Sequence, residues 1–202
     1  MIQTGVIILA AGAATRISKP KMLLPVNGKS ILSHLLHEVK QLSPAVTIVV
    51  TGHYHKEIEQ HITKNQAELL YNEDWAKGVS SSIRTGVLKM LEKNRELANI
   101  LIAVSDQPYL NAALLQQMLD KRKQSGKGIV AASYSHSIGT PVLFDKKYFT
   151  DLQKLEGDRG AKSILQTYFD DIETVDFPMG EMDIDTEEDY EAFCRQKGGC
   201  HV

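Results

Sequence analysis

The chain has 202 residues, a formal net charge of −2, and 43% hydrophobic and 24% charged residues. That length can bury a full core, and the near-balanced charge excludes broad non-specific binding to nucleic acid, so any cationic function must be local. No run approaches the roughly 20 apolar residues that span a bilayer, and the apolar amino terminus lacks the basic region of a secretory signal. Cys194 and Cys200 are too few and too close to the end for a disulfide framework, so a reducing cytoplasm is expected.

Gly5-Val6-Ile7-Ile8-Leu9-Ala10 is a continuous apolar run, the pattern of a strand buried on both faces. It breaks into Ala11-Gly12-Ala13-Ala14-Thr15-Arg16, followed by Lys19 and Lys21, so a small-residue and then cationic loop leaves the strand's carboxyl end. Open α/β sheets bind ligands at that end, and freed amides beside cations suit a polyphosphate. Ile31, Leu32, Leu35, Leu36, Val39 and Leu42 have helical spacing, with Ser30 placed to cap them and Pro44 beyond them. The β-branched run 46–50 predicts a second strand, with a helix over 56–62. A weaker strand at 67–71, a loop, and Val79, Ile83, Val87 and Leu91 on one helix face come next.

The strand at 99–104 should stop at Ser105-Asp106-Gln107-Pro108, because proline cannot donate to a sheet ladder. A helix near 112–123, a strand at 128–133 and the run Pro141-Val142-Leu143-Phe144 continue the alternation. This order predicts an α/β fold: three layers, Rossmann-like, with a mostly parallel central sheet between helices. Farther on come the charged loop Glu156-Gly157-Asp158-Arg159-Gly160, a helical segment near 163–168, a short strand at 175–177 and a helix from Thr186 with an acidic first turn.

Two phosphate motifs are excluded. Gly28-Lys29-Ser30 resembles the end of a P-loop, but Leu23 stands where its upstream glycine belongs, so it is expected to be a turn and helix cap. The first loop has only Gly12 where a dinucleotide fingerprint needs three glycines, which disfavours an NAD-dependent oxidoreductase.

The segment Leu9-Ala10-Ala11-Gly12 through Arg16, then Pro20-Lys21-Met22-Leu23-Leu24-Pro25, resembles the signature of MobA-like nucleotidyltransferases of the molybdenum-cofactor type. The Leu-Ala-Ala-Gly form resembles the cytidylyl-transferring branch, the molybdenum cofactor cytidylyltransferases. The likeness continues through Asn72-x-x-Trp75-Ala76-x-Gly78-x-Ser80-Ser81-Ser82, Asp106-Gln107-Pro108, Gly139-x-Pro141, Gly157-Asp158-x-Gly160-Ala161 and Asp183-Ile184-Asp185-Thr186, nearly the whole chain. Two positions depart from it. Ser18 replaces a glycine before the x-Pro-Lys element, and Thr140 stands where the family often has histidine.

The resemblance implies one nucleotidyltransferase domain over 1–202, with a nucleotide-binding part at about 1–110 and an acceptor-binding, metal-completing part at about 111–196. It implies transfer of CMP from CTP to the terminal phosphate of molybdopterin, with Mg²⁺ as cofactor and pyrophosphate released. Arg16, Lys21 and Asp106 become the catalytic candidates, the two cations because negative charge on a triphosphate must be held while another phosphate attacks it, and Asp106 because the resemblance implies a magnesium-binding carboxylate there. Leu9, Ala10, Ala11, Gly12, Ser80 and Ser81 join them as nucleotide contacts, and Ser82, Gly139, Pro141, Gly157 and Asp158 as acceptor contacts. Asp106, Asp183 and Asp185 are the metal candidates. Asp183 and Asp185 share one face of an extended segment, and hard oxygen ligands suit Mg²⁺, although Asp185 also suits the cap of the following helix. Lys19 reads as solvent-facing. His34 and His37 read as helix surface, Trp75 as packing or a stacking ring, and His53 and His55 as residues at a strand end.

Rival readings are a nucleotidyltransferase for another phosphorylated acceptor, such as a sugar or alcohol phosphate, and a carrier delivering molybdenum cofactor to a xanthine dehydrogenase-like molybdenum hydroxylase. Neither nucleic acid nor membrane is an expected partner.

Overall fold

The computed structural model describes residues 3–13, 20–26, 28–63, 65–135, 137–182, 184 and 187–196. Strand β1 (Thr4–Ala10) is buried along its whole length, as its unbroken apolar run requires. It is followed by β2 (Pro25–Val26) and β3 (Lys29–Ser30), a two-stranded antiparallel ribbon closed by Gly28 at φ 75°. Helix α1 (Ile31–Gln41) begins where the Ser30 hydroxyl accepts the Ser33 amide at 3.1 Å. Gly28-Lys29-Ser30 is therefore a turn and a cap, as the missing glycine indicated.

Strand β4 (Val46–Thr51) leads into α2 (His55–Glu59), shorter than the expected 56–62, and then β5 (Glu68–Tyr71). Helix α3 (Val79–Lys93) crosses back to β6 (Asn99–Val104), and α4 (Ala112–Ser125) follows, ending on the left-handed Gly126. Beyond it come β7 (Ile129–Tyr134), β8 (Ser137–Asp145), α5 (Phe149–Gln153), α6 (Lys162–Thr167), β9 (Ile172–Asp176) and α7 (Glu187–Gln196).

One sheet of seven strands has the order β5-β4-β1-β6-β8-β7-β9. Alternate residues of β1 serve different cores, as a period of two demands. Val6, Ile8 and Ala10 pack with Leu32, Leu35 and Val39 of α1 and Leu115 and Met118 of α4. Ile7 and Leu9 pack with Ile83, Val87 and Met90 of α3 and Leu152 and Leu165 beyond it. The three-layer α/β architecture with a mostly parallel sheet is thus present. Within it, β8 runs antiparallel to both β6 and β7. The apolar run 141–144 lies in the far half of this nine-residue strand, and only two residues separate β8 from β7, too few for a parallel crossover.

Among the described residues, no helix is long and apolar enough to cross a membrane. Cys194 is half-buried against the small apolar cluster of Leu24, Ile31, Ile184 and Phe193.

Candidate active site

β1 lies between β4 on one side and β6 on the other, so the chain reverses its direction of travel across the sheet at β1. At such a reversal the loops from neighbouring carboxyl ends diverge and leave a crevice. Here those loops are laced together by backbone bonds. Ser105 donates its amide to Leu9 O at 3.0 Å, His53 to Ala11 O at 3.2 Å, and Asn72 to Thr51 O at 2.9 Å.

A cavity of about 420 Å³ opens at this point, lined by Leu9, Ala10, Ala11, Gly12 and Ala13 from the first loop. Lys21 and Met22, then Trp75, Ala76, Gly78, Val79 and Ser82, and finally Val104, Ser105, Asp106 and Asp158 complete its walls. Six of the nucleotide candidates (Leu9, Ala10, Ala11, Gly12, Lys21 and Asp106) thus come together on it, although Asp106 is almost a hundred residues from the first loop. Arg16, Asp183 and Asp185 lie outside the described residues. Asp106, half-buried, offers the cavity a hard carboxylate at the end of β6, which fits one of the few carboxylates a divalent ion takes when substrate phosphates and water supply the rest. Among the described residues no group of three or more metal-ligating side chains converges.

The serine-rich helix start divides its tasks. Ser80 is fully buried; its hydroxyl donates to Glu156 O and accepts the Gly160 amide, both at 3.2 Å. Ser81 donates to Asp74 O and Gly78 O, at 2.9 and 2.8 Å, and accepts from Asn72 Nδ2 at 2.9 Å. Neither lines the cavity, because both hydroxyls are committed to holding loops. Ser82, grouped by sequence with the acceptor, lines the same cavity as the nucleotide candidates while accepting from Asn72 Nδ2 at 3.0 Å.

Asp158 also lines it, with Oδ1 accepting the Val79 amide at 3.2 Å at the start of α3. Gly157 packs under that start, where its carbonyl would lie 2.8 Å from a Cβ at Gly78. Gly78 itself has φ 102°, a conformation that side chains resist. The glycine thus allows both the turn and the approach of the 157–158 loop.

Trp75 is held by Gly52, where a Cβ would stand 2.6 Å from the tryptophan Cβ and 2.5 Å from Ala11 O. Its ring meets His53 edge-on at 5.2 Å, while His55 turns away to bond Thr51 Oγ1 through Nδ1 at 2.7 Å. Trp75 therefore lines the cavity, and the two histidines do not.

A second chamber of about 270 Å³ shares Leu9, Val79 and Val104 with the first. It contains the acceptor candidate Gly139 and, beside it, Tyr134, Thr140, Arg159 and Lys162. Pro141 is buried between two residues of its wall without lining it. Tyr134, Arg159 and Lys162 had no assigned role in the sequence reading. The only signal of the two cations was their place around Gly160-Ala161, and Tyr134 carried none.

Residues 6–172 match the family described as the MobA-like NTP transferase domain. The bifunctional protein GlmU of Buchnera aphidicola is 27% identical over 170 residues, 82% of this chain but 36% of the relative, so the chain spans about a third of that protein's length. The crystal structure of Rv0371c from Mycobacterium tuberculosis superimposes with a TM-score of 0.81 at 24% identity, covering 94% of this chain and 96% of the other. The same mycobacterial protein is also known in complex with manganese. Molybdopterin-guanine dinucleotide biosynthesis protein A from Archaeoglobus fulgidus superimposes with a TM-score of 0.62 at 16% identity, covering 95% and 99% of the two chains. A match over most of the chain, on a fold whose central crevice gathers the motif residues, makes this protein a member of the MobA-like NTP transferase family and a nucleotidyltransferase.

Proposed function

We propose that the enzyme transfers CMP from CTP to the terminal phosphate of a molybdopterin-type acceptor and releases pyrophosphate. The observation that carries this reading is the pair of adjoining chambers with Leu9, Val79 and Val104 in both walls, one lined by the Leu-Ala-Ala-Gly loop, Lys21 and Asp106, the other by residues of the acceptor motifs. In this reading the first holds the nucleotide and the second the acceptor, so residues up to about 110 bind CTP and later ones chiefly bind acceptor. CTP is favoured by Ala11, through resemblance.

An oxygen of the acceptor phosphate attacks the α-phosphorus of CTP. The new O–P bond forms as the bond to the bridging oxygen breaks, and that oxygen leaves on pyrophosphate. The nucleophile is already ionised, so the enzyme needs no general base; orientation and charge stabilisation supply the rate. Lys21 and Arg16 hold the triphosphate, and the small residues 10–13 let it approach the backbone. Bound Mg²⁺ would neutralise charge on the phosphates, held by Asp106 with Asp183 and Asp185.

Another phosphorylated acceptor is the second reading, and Thr140 favours it, since this residue lines the second chamber where the resemblance has histidine. Pyrophosphate release measured with CTP, GTP, ATP and UTP, each with Mg²⁺ and either molybdenum cofactor or a sugar phosphate, separates the two. Release from GTP but not CTP would overturn the base assignment; turnover with sugar phosphate alone would overturn the acceptor. A product mass of acceptor plus CMP is the expected result. A downstream molybdenum hydroxylase of the xanthine dehydrogenase kind belongs to the same proposal.

A further inference from the structure

Gln107 follows Asp106 directly and is 4% exposed. Its Nε2 donates to two backbone carbonyls far away in sequence, Thr140 O at 3.1 Å and Gly180 O at 2.9 Å. Its Oε1 is buried and has no hydrogen-bond partner. Leaving a buried amide oxygen unpaired is unfavourable, so the gain from this side chain lies in its two N–H groups. A residue chosen only to fill space here would carry no orphaned acceptor, and such groups often mark a functional constraint.

The two segments that carry these carbonyls flank one side chain, Tyr134. Gly139, next to Thr140, has no room for a Cβ, because the Tyr134 hydroxyl occupies that position. Gly180 is equally restricted by the Tyr134 and Phe177 rings, at 2.7 and 2.5 Å from a notional Cβ. Tyr134 thus lies between two close-packed backbones, and Gln107 ties both to the segment that carries Asp106. Tyr134, Gly139 and Thr140 all line the second chamber, whereas Asp106 lines the first.

We infer that Gln107 is a positioning residue that sets the wall of the second chamber, through Thr140 and Gly180, relative to Asp106 in the first. The inference rests on the second chamber being the acceptor's. It assigns Gln107 no contact with either substrate. Its effect should fall on the acceptor, because the nucleotide loop 9–13 and the start of α3 receive no bond from this side chain.

The test is Gln107→Met, which keeps length and volume and removes both donors, with Gln107→Asn, an amide one methylene short, in case the methionine variant does not fold. Fluorescence of Trp75, the single tryptophan, reports CTP binding with Mg²⁺. Hydrogen exchange reports the segments 134–142 and 177–182. The acceptor is whichever of molybdenum cofactor and sugar phosphate the wild type turns over, so failure of the molybdopterin reading is seen in the wild type and failure of this one in the variant-to-wild-type ratio. Expected are CTP affinity within about threefold of wild type, kcat/KM for the acceptor lowered at least about tenfold, as a small misplacement of a reacting group suffices to do, and faster exchange confined to those two segments. A lowered melting temperature with unchanged acceptor kinetics would make Gln107 merely structural and overturn the inference. So would an equal loss of CTP affinity. Were no acceptor turned over, exchange would decide, and unchanged protection in both segments would overturn it.

Discussion

The Ser80 hydroxyl accepts the backbone amide of Gly160 at 3.2 Å, joining two motifs eighty residues apart. It also donates to Glu156 O, while the Ser80 amide donates to Gly157 O at 3.3 Å. The charged loop 155–160 is therefore latched onto the start of α3, which brings Asp158 to the wall of the first cavity and Arg159 to that of the second.

Ser80→Ala should release that latch. The buried Gly160 amide loses its partner, as does the part-buried Glu156 carbonyl, which costs about 1–3 kcal/mol. Denaturant unfolding should show this loss, and limited proteolysis should find the 155–160 segment more readily cleaved. Unaltered stability and cleavage would mean that the latch contributes nothing.

Gly52→Ala should disturb the first loop from outside the cavity. The added methyl meets Ala11 O and Trp75, and only one of these can yield by side-chain motion. Overpacking of this kind costs about 1–3 kcal/mol. The expected outcome is weaker nucleotide binding together with a shifted Trp75 emission spectrum. Serine should behave no better than alanine.

Asp106→Asn and Lys21→Met test the charge chemistry. Each should lower kcat by about 10²–10³-fold, the usual effect of deleting a group that stabilises developing charge. Thermal unfolding should change little. The two should differ in metal response: raising the divalent ion concentration is expected to restore part of the activity of the asparagine variant and none of that of the methionine variant.

The far end of the sheet provides a pH test. Burial raises the Asp171 pKa, but bonds from Lys147, Tyr148 and the Gly128 amide, with the Lys147 charge, outweigh it and bring the group from 3.8 down to about 2. Burial and the same carboxylate push the Tyr148 hydroxyl well up. A carboxyl depressed in the folded state favours folding fully above its unfolded pKa, and that contribution fades as pH falls through the folded value. The stability difference between wild type and Asp171→Asn should thus be constant above about pH 4 and shrink between about pH 4 and 2. Melting temperatures measured across that range check it; a difference that grew on acidification would contradict the assignment.

Much of this protein was legible in local sequence because the signals act over a few residues. The β1 run, the Ser30 cap and the helical spacing of Leu32, Leu35 and Val39 follow from backbone periodicity and from orphaned helix amides, and the small-residue loop before Lys21 is contiguous. Asp106 was legible too, since a proline two residues on ends its strand. Other features depended on partners far away in the chain. Which of Ser80, Ser81 and Ser82 faces the cavity was decided by Glu156 and Gly160, which take up the Ser80 hydroxyl, and by the Asp74 and Gly78 carbonyls, which take up that of Ser81, while Ser82 accepts from Asn72. The antiparallel course of β8 came from a connection too short to cross over, within a segment whose composition suits either direction. Tyr134 and Gln107 acquired their roles only when Gly139 and Gly180 were brought to either side of one ring. Sequence alone therefore determined the elements and the cationic loop, through interactions within a turn or a strand. Tertiary structure decided which polar groups remained available at the cavity, because a buried donor or acceptor must be satisfied by whatever the fold places beside it.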